Sequence, residues 1–172
     1  MKKQVLILFC GLLFGACKPS KKDLITKKWQ AISVESQEVQ NSIEQSKIFF
    51  DTVGKTTDAA TNMELYGVAN MDSMREVLKK QLDDFVENQK ETVKNTWLDF
   101  RKDSILIASF GTGPDTVKWY FDDEGNLIMD EMAQKGSGSI LKMDILKLED
   151  SVLQLQFKEN DFSSIATFRP AG

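Results

Sequence analysis

The chain of 172 residues contains no histidine, two cysteines and three prolines. The absence of histidine excludes His-based catalytic triads, imidazole proton shuttles and His-ligated metal sites. Its longest apolar run, residues 5–14, is about half the length of roughly 20 residues that a membrane-spanning helix needs. The remaining composition, 41% hydrophobic and 28% charged, is typical of a single folded domain rather than of a disordered chain.

The N-terminal segment has the layout of an export signal: two lysines, a short apolar run and then small residues. The residues Phe14-Gly15-Ala16-Cys17 resemble the lipobox of bacterial lipoproteins. In that class the leader is cut just before the cysteine, and the cysteine is acylated. The resemblance implies a signal peptide over residues 1–16 and a lipid anchor on Cys17. The alternative is a conventional signal peptide cut after Ala16, which would leave Cys17 as an exported thiol.

The charge of the chain is unevenly distributed. Residues 17–28, which we interpret as a lipidated basic tether, hold five lysines and one aspartate, whereas the whole chain has a net charge of −4. Such an arm either contacts anionic lipid headgroups or is simply solvated, and the acidic remainder disfavours nucleic acid. The residues after Cys17 include neither the aspartate of inner-membrane retention signals nor the acidic run of surface-exported lipoproteins. By that resemblance we expect an outer-membrane lipoprotein of the cell envelope that faces the periplasm.

Alternating apolar and polar residues predict eight strands. The first covers residues 29–35, and the others follow a long insertion, at 96–101, 104–110, 115–121, 126–132, 139–148, 151–158 and 163–169. Turn-forming residues separate the last seven at intervals near ten residues, which indicates hairpins. Eight antiparallel strands joined by tight turns favour a closed up-and-down barrel, because closure removes the free edges.

The insertion after the first strand predicts one long helix over about residues 72–95, capped by Asp72 or Ser73. Apolar residues recur along it at steps of three or four, and we interpret this stripe as core packing. Residues 36–70 are ambiguous. We expect a short helix over 37–45, an extended piece over 47–53 and a loop over 55–62.

Several short motifs resemble the lipocalin-like lipoproteins of the Bacteroidota. They are Thr26-Lys27-Lys28-Trp29-Gln30, the stretch from Asn95 to Asp103, and the closing segments 145–148, 151–155 and 167–169. The resemblance implies a mainly β fold, with an eight-stranded antiparallel lipocalin-like barrel over residues 29–172. It also implies that Trp29 and Arg169 form a cation–π pair that closes one end of the barrel, a structural role.

No arrangement of residues predicts an enzyme. Acidic pairs occur at Asp83/Asp84, Asp99/Asp103 and Asp122/Asp123, as expected by chance in a sequence this acidic. The turn at residues 122–125 lacks the alternating ligands of a calcium loop, and no phosphate-binding loop is present. We therefore expect a non-enzymatic protein with no metal and no cofactor.

Asp-Ser/Thr-apolar triplets occur five times, several-fold more often than random order would give. They resemble the O-glycosylation acceptor of exported Bacteroidota proteins, whose middle hydroxyl carries the glycan, here Thr52, Ser73, Ser104, Thr116 and Ser151. The alternative is that aspartate followed by a hydroxyl residue begins a strand or caps a helix.

Two functions are compatible with these observations. In the first, a small apolar ligand is held in the barrel between inward-pointing side chains. In the second, the barrel is filled, and the helical insertion or residues 36–70 contact a protein partner in the envelope. The sequence identifies neither the ligand nor the partner.

Overall fold

The computed structural model describes residues 19–160 and 162–172 and shows a closed barrel of eight antiparallel strands. Each strand pairs with its neighbours in sequence, and the last strand pairs with the first. The strands are β1 Lys28–Glu35, β2 Thr96–Phe100, β3 Ile105–Phe110, β4 Pro114–Phe121, β5 Leu127–Asp130, β6 Ile140–Glu149, β7 Val152–Glu159 and β8 Phe162–Pro170. The predicted mainly β, eight-stranded up-and-down barrel is confirmed.

Five helices accompany the barrel in the described residues. They are α1 Lys21–Ile25, α2 Gln37–Thr52, α3 Ala59–Tyr66, α4 Met71–Lys94 and α5 Glu131–Lys135. The prediction of a long helix near 72–95 is confirmed as α4, although its N-cap is Asn70, whose side chain accepts from the backbone N–H of Asp72 at 3.1 Å. None of the helices in this part of the chain has the length and apolarity needed to cross a bilayer.

The barrel interior is filled by side chains from the inward faces of the strands. Trp29, Trp119 and Phe168 are buried almost completely, as is Phe100, whose ring meets that of Trp119 edge to face at 5.3 Å. These aromatic side chains lie among buried leucine, methionine and alanine side chains contributed by neighbouring strands. The alternation of apolar and polar residues that predicts the strands therefore also directs the apolar side chains into the barrel interior, which they fill.

One end of the barrel, its base, is covered by α1. Ser20 and Asp23 form a capping box that starts this helix, and the side chain of Ile25 is fully buried. The carbonyl of Ile25 accepts a hydrogen bond of 2.8 Å from the indole N–H of Trp29. Within the expected tether, residues 21–28 are fixed to the barrel by burial of Ile25 and by the hydrogen bond from Trp29.

The opposite end, the mouth, carries the insertion between β1 and β2. The expected extended piece at 47–53 is wrong, because α2 continues to Thr52, and the expected loop at 55–62 gives way at Ala59 to α3. The predicted helix at 37–45 is confirmed as the first part of α2. On another connection, the strand predicted over 126–132 ends at Asp130, whose side chain caps α5 by accepting from the N–H of Ala133 at 2.7 Å.

At the mouth, β1 extends further than its neighbour β2. β2 pairs with β1 only at Lys28, Trp29 and Gln30, whereas β8 pairs with β1 as far as Glu35. The register with β8 shifts between Ala31 and Ser33, so Ile32 forms a bulge. Residues 31–35 of β1 therefore project beyond β2, and α2 and α4 lie where a longer β2 would have been.

Candidate functional site

A cleft of about 750 Å³ lies between the projecting part of β1 and the helices α2 and α4. Ala31 and Val34 face the barrel interior, because they pair with the inward Phe168 and Ala166 of β8. Ser33 and Arg169 also line the cleft but lie on the outer face of the sheet. The cleft thus extends from the barrel mouth around the open edge of β1.

The apolar lining of the cleft comes from one face of each helix. Val39 and Ile43 are four residues apart on α2, and Val86 and Val93 are seven apart on α4. Both spacings return to the same helix face. No residue of α2 is buried, and Met71 is the one buried residue of α4. Val93 packs against the barrel core and Met71 is buried, whereas Phe85 is 42% exposed, so the interpretation of the α4 stripe as core packing holds for only part of its length.

A second groove of about 410 Å³ adjoins the cleft between α2 and α4. Val39 and Ile43 line both spaces, and the groove adds Leu82 and Phe85 of α4 and Phe162 of β8. Phe85 and Phe162 are 42% and 60% exposed, so large apolar side chains remain accessible beside the mouth. The helices thus cover the mouth without sealing it.

The charged side chains among the described residues that line the cleft are all basic: Lys90, Lys94 and Arg169. The amine of Lys90 lies 3.2 Å from the carboxylate of Glu87, and the amine of Lys94 lies 2.5 Å from the carboxylate of Glu91 on the same helix. The hydrogen bond with Glu91 and the charges of Glu91 and Glu87 raise the pKa of Lys94. Lys94 therefore stays cationic throughout the neutral range.

The end of α4 is fixed to β1 by a glutamine. The side-chain amide of Gln30 donates to the carbonyls of Lys94 and Thr96 at 2.8 and 2.9 Å. Carbonyl groups at the C-terminus of a helix have no intrahelical N–H partner, and the Gln30 amide supplies hydrogen-bond donors there. Gln30 thereby positions Val93 and Lys94 beside the open edge of β1.

The expected cation–π pair of Trp29 and Arg169 does not form. Arg169 pairs with Gln30 in the ladder, whereas Trp29 pairs with Pro170, so Trp29 and Arg169 point to opposite faces of the sheet. Trp29 is fully buried and Arg169 is exposed. The cation above the Trp29 ring is Lys27, 5.2 Å from the ring centroid. Arg169 therefore lines the cleft on the outer face of the sheet and does not close the barrel over Trp29.

The remaining predicted site residues are scattered over the surface. Cys17 lies outside the described residues. Thr52, Ser73 and Ser151 are exposed, and Ser104 and Thr116 are half-buried. Ser104 lies in the turn between β2 and β3, with φ +64° and its hydroxyl 3.4 Å from the amine of Lys22. Ser104 and Ser151 lie in turns, Thr52 and Ser73 lie near helix ends without being their caps, Thr116 lies near the start of β4, and glycosylation stays a prediction.

The acidic turn at residues 122–125 is explained by its own hydrogen bonds. Asp122 accepts from the side-chain and backbone N–H groups of Asn126, and it lies 3.0 Å from Lys142. The hydrogen bonds with Asn126 and the charge of Lys142 hold the pKa of Asp122 far below its usual value. Within residues 19–160 and 162–172, no three acidic or cysteine side chains gather in a group suited to a metal ion.

Of the residues that line the cleft, Arg169 alone was predicted from the sequence as a site residue, and in a different role. Val34, Ile43, Val86 and Arg169 are far apart in sequence, and each also fits an ordinary strand or helix pattern. The one available signal was the amphipathic α4 stripe in a helix with a polar remainder. No family model matches the chain, and no curated protein and no solved structure matches it.

The pairing register of β1 and β8 predicts how two substitutions change the stability of the fold. Arg169→Gln should change the free energy of unfolding by less than about 0.5 kcal/mol, because the side chain is exposed on the outer face. Trp29→Phe should lower it by about 1–3 kcal/mol, through loss of the hydrogen bond to Ile25 and of buried volume. Urea unfolding followed by circular dichroism measures both. A large loss for Arg169→Gln would indicate that Arg169 closes the barrel after all.

Proposed function

We propose that this protein is a non-enzymatic binding protein that holds a small apolar ligand in the cleft at the barrel mouth. The observation that supports this proposal is the cleft itself, whose volume of about 750 Å³ falls in the usual range for ligand sites, about 300–1,000 Å³. Its apolar residues come from β1, α2 and α4, and three of them, Ile32, Val34 and Val39, are 37–52% exposed. A ligand would bury these surfaces, at a gain of about 25 cal/mol per Å² of apolar area.

The proposed site lies at the mouth and not between the inward side chains as first expected. Trp29, Phe100, Trp119 and Phe168 occupy the interior and are each at most 1% exposed. A ligand inside would have to displace several of these rings. The mouth needs no such displacement, because the helices already leave the space open.

We further propose that the protein is an outer-membrane lipoprotein anchored through Cys17 and facing the periplasm. The support is the lipobox-like sequence Phe14–Cys17. The described chain begins beside α1, which covers the base, and the cleft lies at the opposite end of the barrel. With such an anchor, the cleft opens away from the membrane surface.

Val86→Trp tests the binding site. Val86 lies on the cleft wall of α4, and a bulkier ring there should fill the space that a ligand occupies. We expect binding of the neutral dye Nile red to weaken about tenfold or more, since loss of about 60 Å² of apolar contact corresponds to that factor. The measurement is a fluorescence titration of the full chain carrying Cys17→Ser, so that neither lipid nor detergent competes for the dye.

Val77→Trp is the matched control. Val77 lies on the same helix, is 55% exposed and does not line the cleft. The same substitution there should leave dye binding within about twofold of the parent protein, because the cleft is unchanged. Absence of Nile red binding to the parent, or equal binding by the Val86→Trp and Val77→Trp variants, would contradict the proposed site.

Cys17→Ser tests the anchor. Without the thiol no acyl chain can be attached, so the protein should move from the membrane fraction to the soluble fraction after cell lysis. Cys10→Ser, within the proposed leader, should leave the protein in the membrane fraction. If the Cys17→Ser variant sediments with membranes as the unchanged protein does, the anchor is not on Cys17. Fractionation with immunoblotting measures the distribution.

A second candidate function is docking of a protein partner. The favouring observation is a group of exposed apolar side chains on α2 and α3, Ile48, Phe49, Met63 and Leu65, which are each at least half exposed. Surfaces of this kind often mark interaction sites. They lie on the helical insertion, as the interaction hypothesis expects, and none of the four lines the cleft.

A further inference from the structure

The cleft combines an apolar wall with basic side chains, although the protein as a whole is acidic. Lys90, Lys94 and Arg169 line it, and the described lining residues include no aspartate or glutamate. The whole chain nevertheless has 26 acidic and 22 basic residues. Because exposed charges are screened beyond about 8–10 Å at physiological salt, a ligand in the cleft experiences the local cations more than the distant acidic surface.

The three cations are not equivalent. Lys90 and Lys94 each have a glutamate of α4 within 3.2 Å, and these pairs offset part of their charge. Arg169 has no ion pair with any side chain in the described part of the chain. Its guanidinium offers a planar set of donors that matches a carboxylate or phosphate group. Arg169 is therefore the side chain best suited to an anionic group of a ligand.

Neutral polar side chains complete the polar part of the lining. Ser33, Ser164, Gln40 and Gln89 all line the cleft. In the described residues their side chains donate to and accept from no other protein group, in contrast with Gln30, which holds α4. They are available to hydrogen-bond the polar end of a ligand.

We infer that the ligand of this cleft is an amphipathic anion, a molecule with an apolar chain and one carboxylate or similar acidic group that pairs with Arg169. The inference rests on the proposed function, because it assigns the chemical class of the ligand to the same site. The chain packs against the valine and isoleucine side chains of α2 and α4, and Lys90 and Lys94 add positive charge near the acidic group. Arg169 is the residue that distinguishes an anion from a neutral ligand.

The test compares decanoate with 1-decanol, which share a ten-carbon chain and differ in the charged group. The protein is the full chain carrying Cys17→Ser, and each probe displaces Nile red at pH 7. We expect decanoate to bind about tenfold more tightly than 1-decanol, since a hydrogen bond to a charged group contributes about that factor. Rising salt concentration should weaken decanoate binding and leave 1-decanol binding unchanged.

Arg169→Gln should weaken decanoate binding about tenfold and leave 1-decanol binding within about twofold. Arg169→Lys, which keeps the charge without the planar donors, should retain part of the preference. The matched control is Arg101→Gln, because Arg101 is also exposed and lies at the base of the barrel beside Asp99. This variant should bind both probes as the parent protein does.

The outcomes separate this inference from the function on which it rests. Equal binding of decanoate and 1-decanol would overturn the anionic ligand but leave an apolar site in place. Equal loss of both probes in Arg169→Gln would also overturn it, because Arg169 would then support the cleft rather than recognise charge. If neither probe nor Nile red binds the parent protein, the proposed function fails together with the inference.

Discussion

The cleft exists because β1 is longer than the neighbour with which it pairs on one side. β2 ends its ladder with β1 at Gln30, so residues 31–35 are held by β8 alone. A strand edge of this kind is a liability unless something covers it. Here α2 and α4 cover it incompletely, and Gln30 fixes the end of α4 close to the edge. The apolar wall, the basic side chains and the access from the mouth all depend on this mismatch of strand length.

The barrel itself could be predicted from the sequence, because the patterns that indicate its strands and turns lie within short stretches of the chain. Alternation of apolar and polar residues places Trp29, Phe100 and Phe168 inside, and the turns lie where aspartate, glycine and asparagine occur. Whether the inward side chains fill the barrel could not be predicted from the sequence, because their packing depends on how the eight strands are arranged around the barrel. The open space lies at the mouth and not on the barrel axis.

The site could not be predicted, because its residues meet only through long-range register. Arg169 is separated from Gln30 by most of the chain, and a shift of one residue in their pairing would turn its side chain inward. The helices over residues 37–66 were missed in part because their apolar residues, such as Ile48 and Leu65, are exposed and give no clear stripe. The helical residues that line the cleft lie within the predicted helices 37–45 and 72–95, so the helices themselves could be predicted but their arrangement around the cleft could not.

Native mass spectrometry of the protein purified from cells that produce it tests the central claim most directly. The account predicts a discrete additional mass that is lost on denaturation, present in the unchanged protein and in Val77→Trp but absent in Val86→Trp. The covalent mass in the same spectra reports acylation of Cys17 and any glycan. An unchanged protein without a bound molecule, or a Val86→Trp variant that retains the same bound molecule, would contradict a ligand site at the barrel mouth.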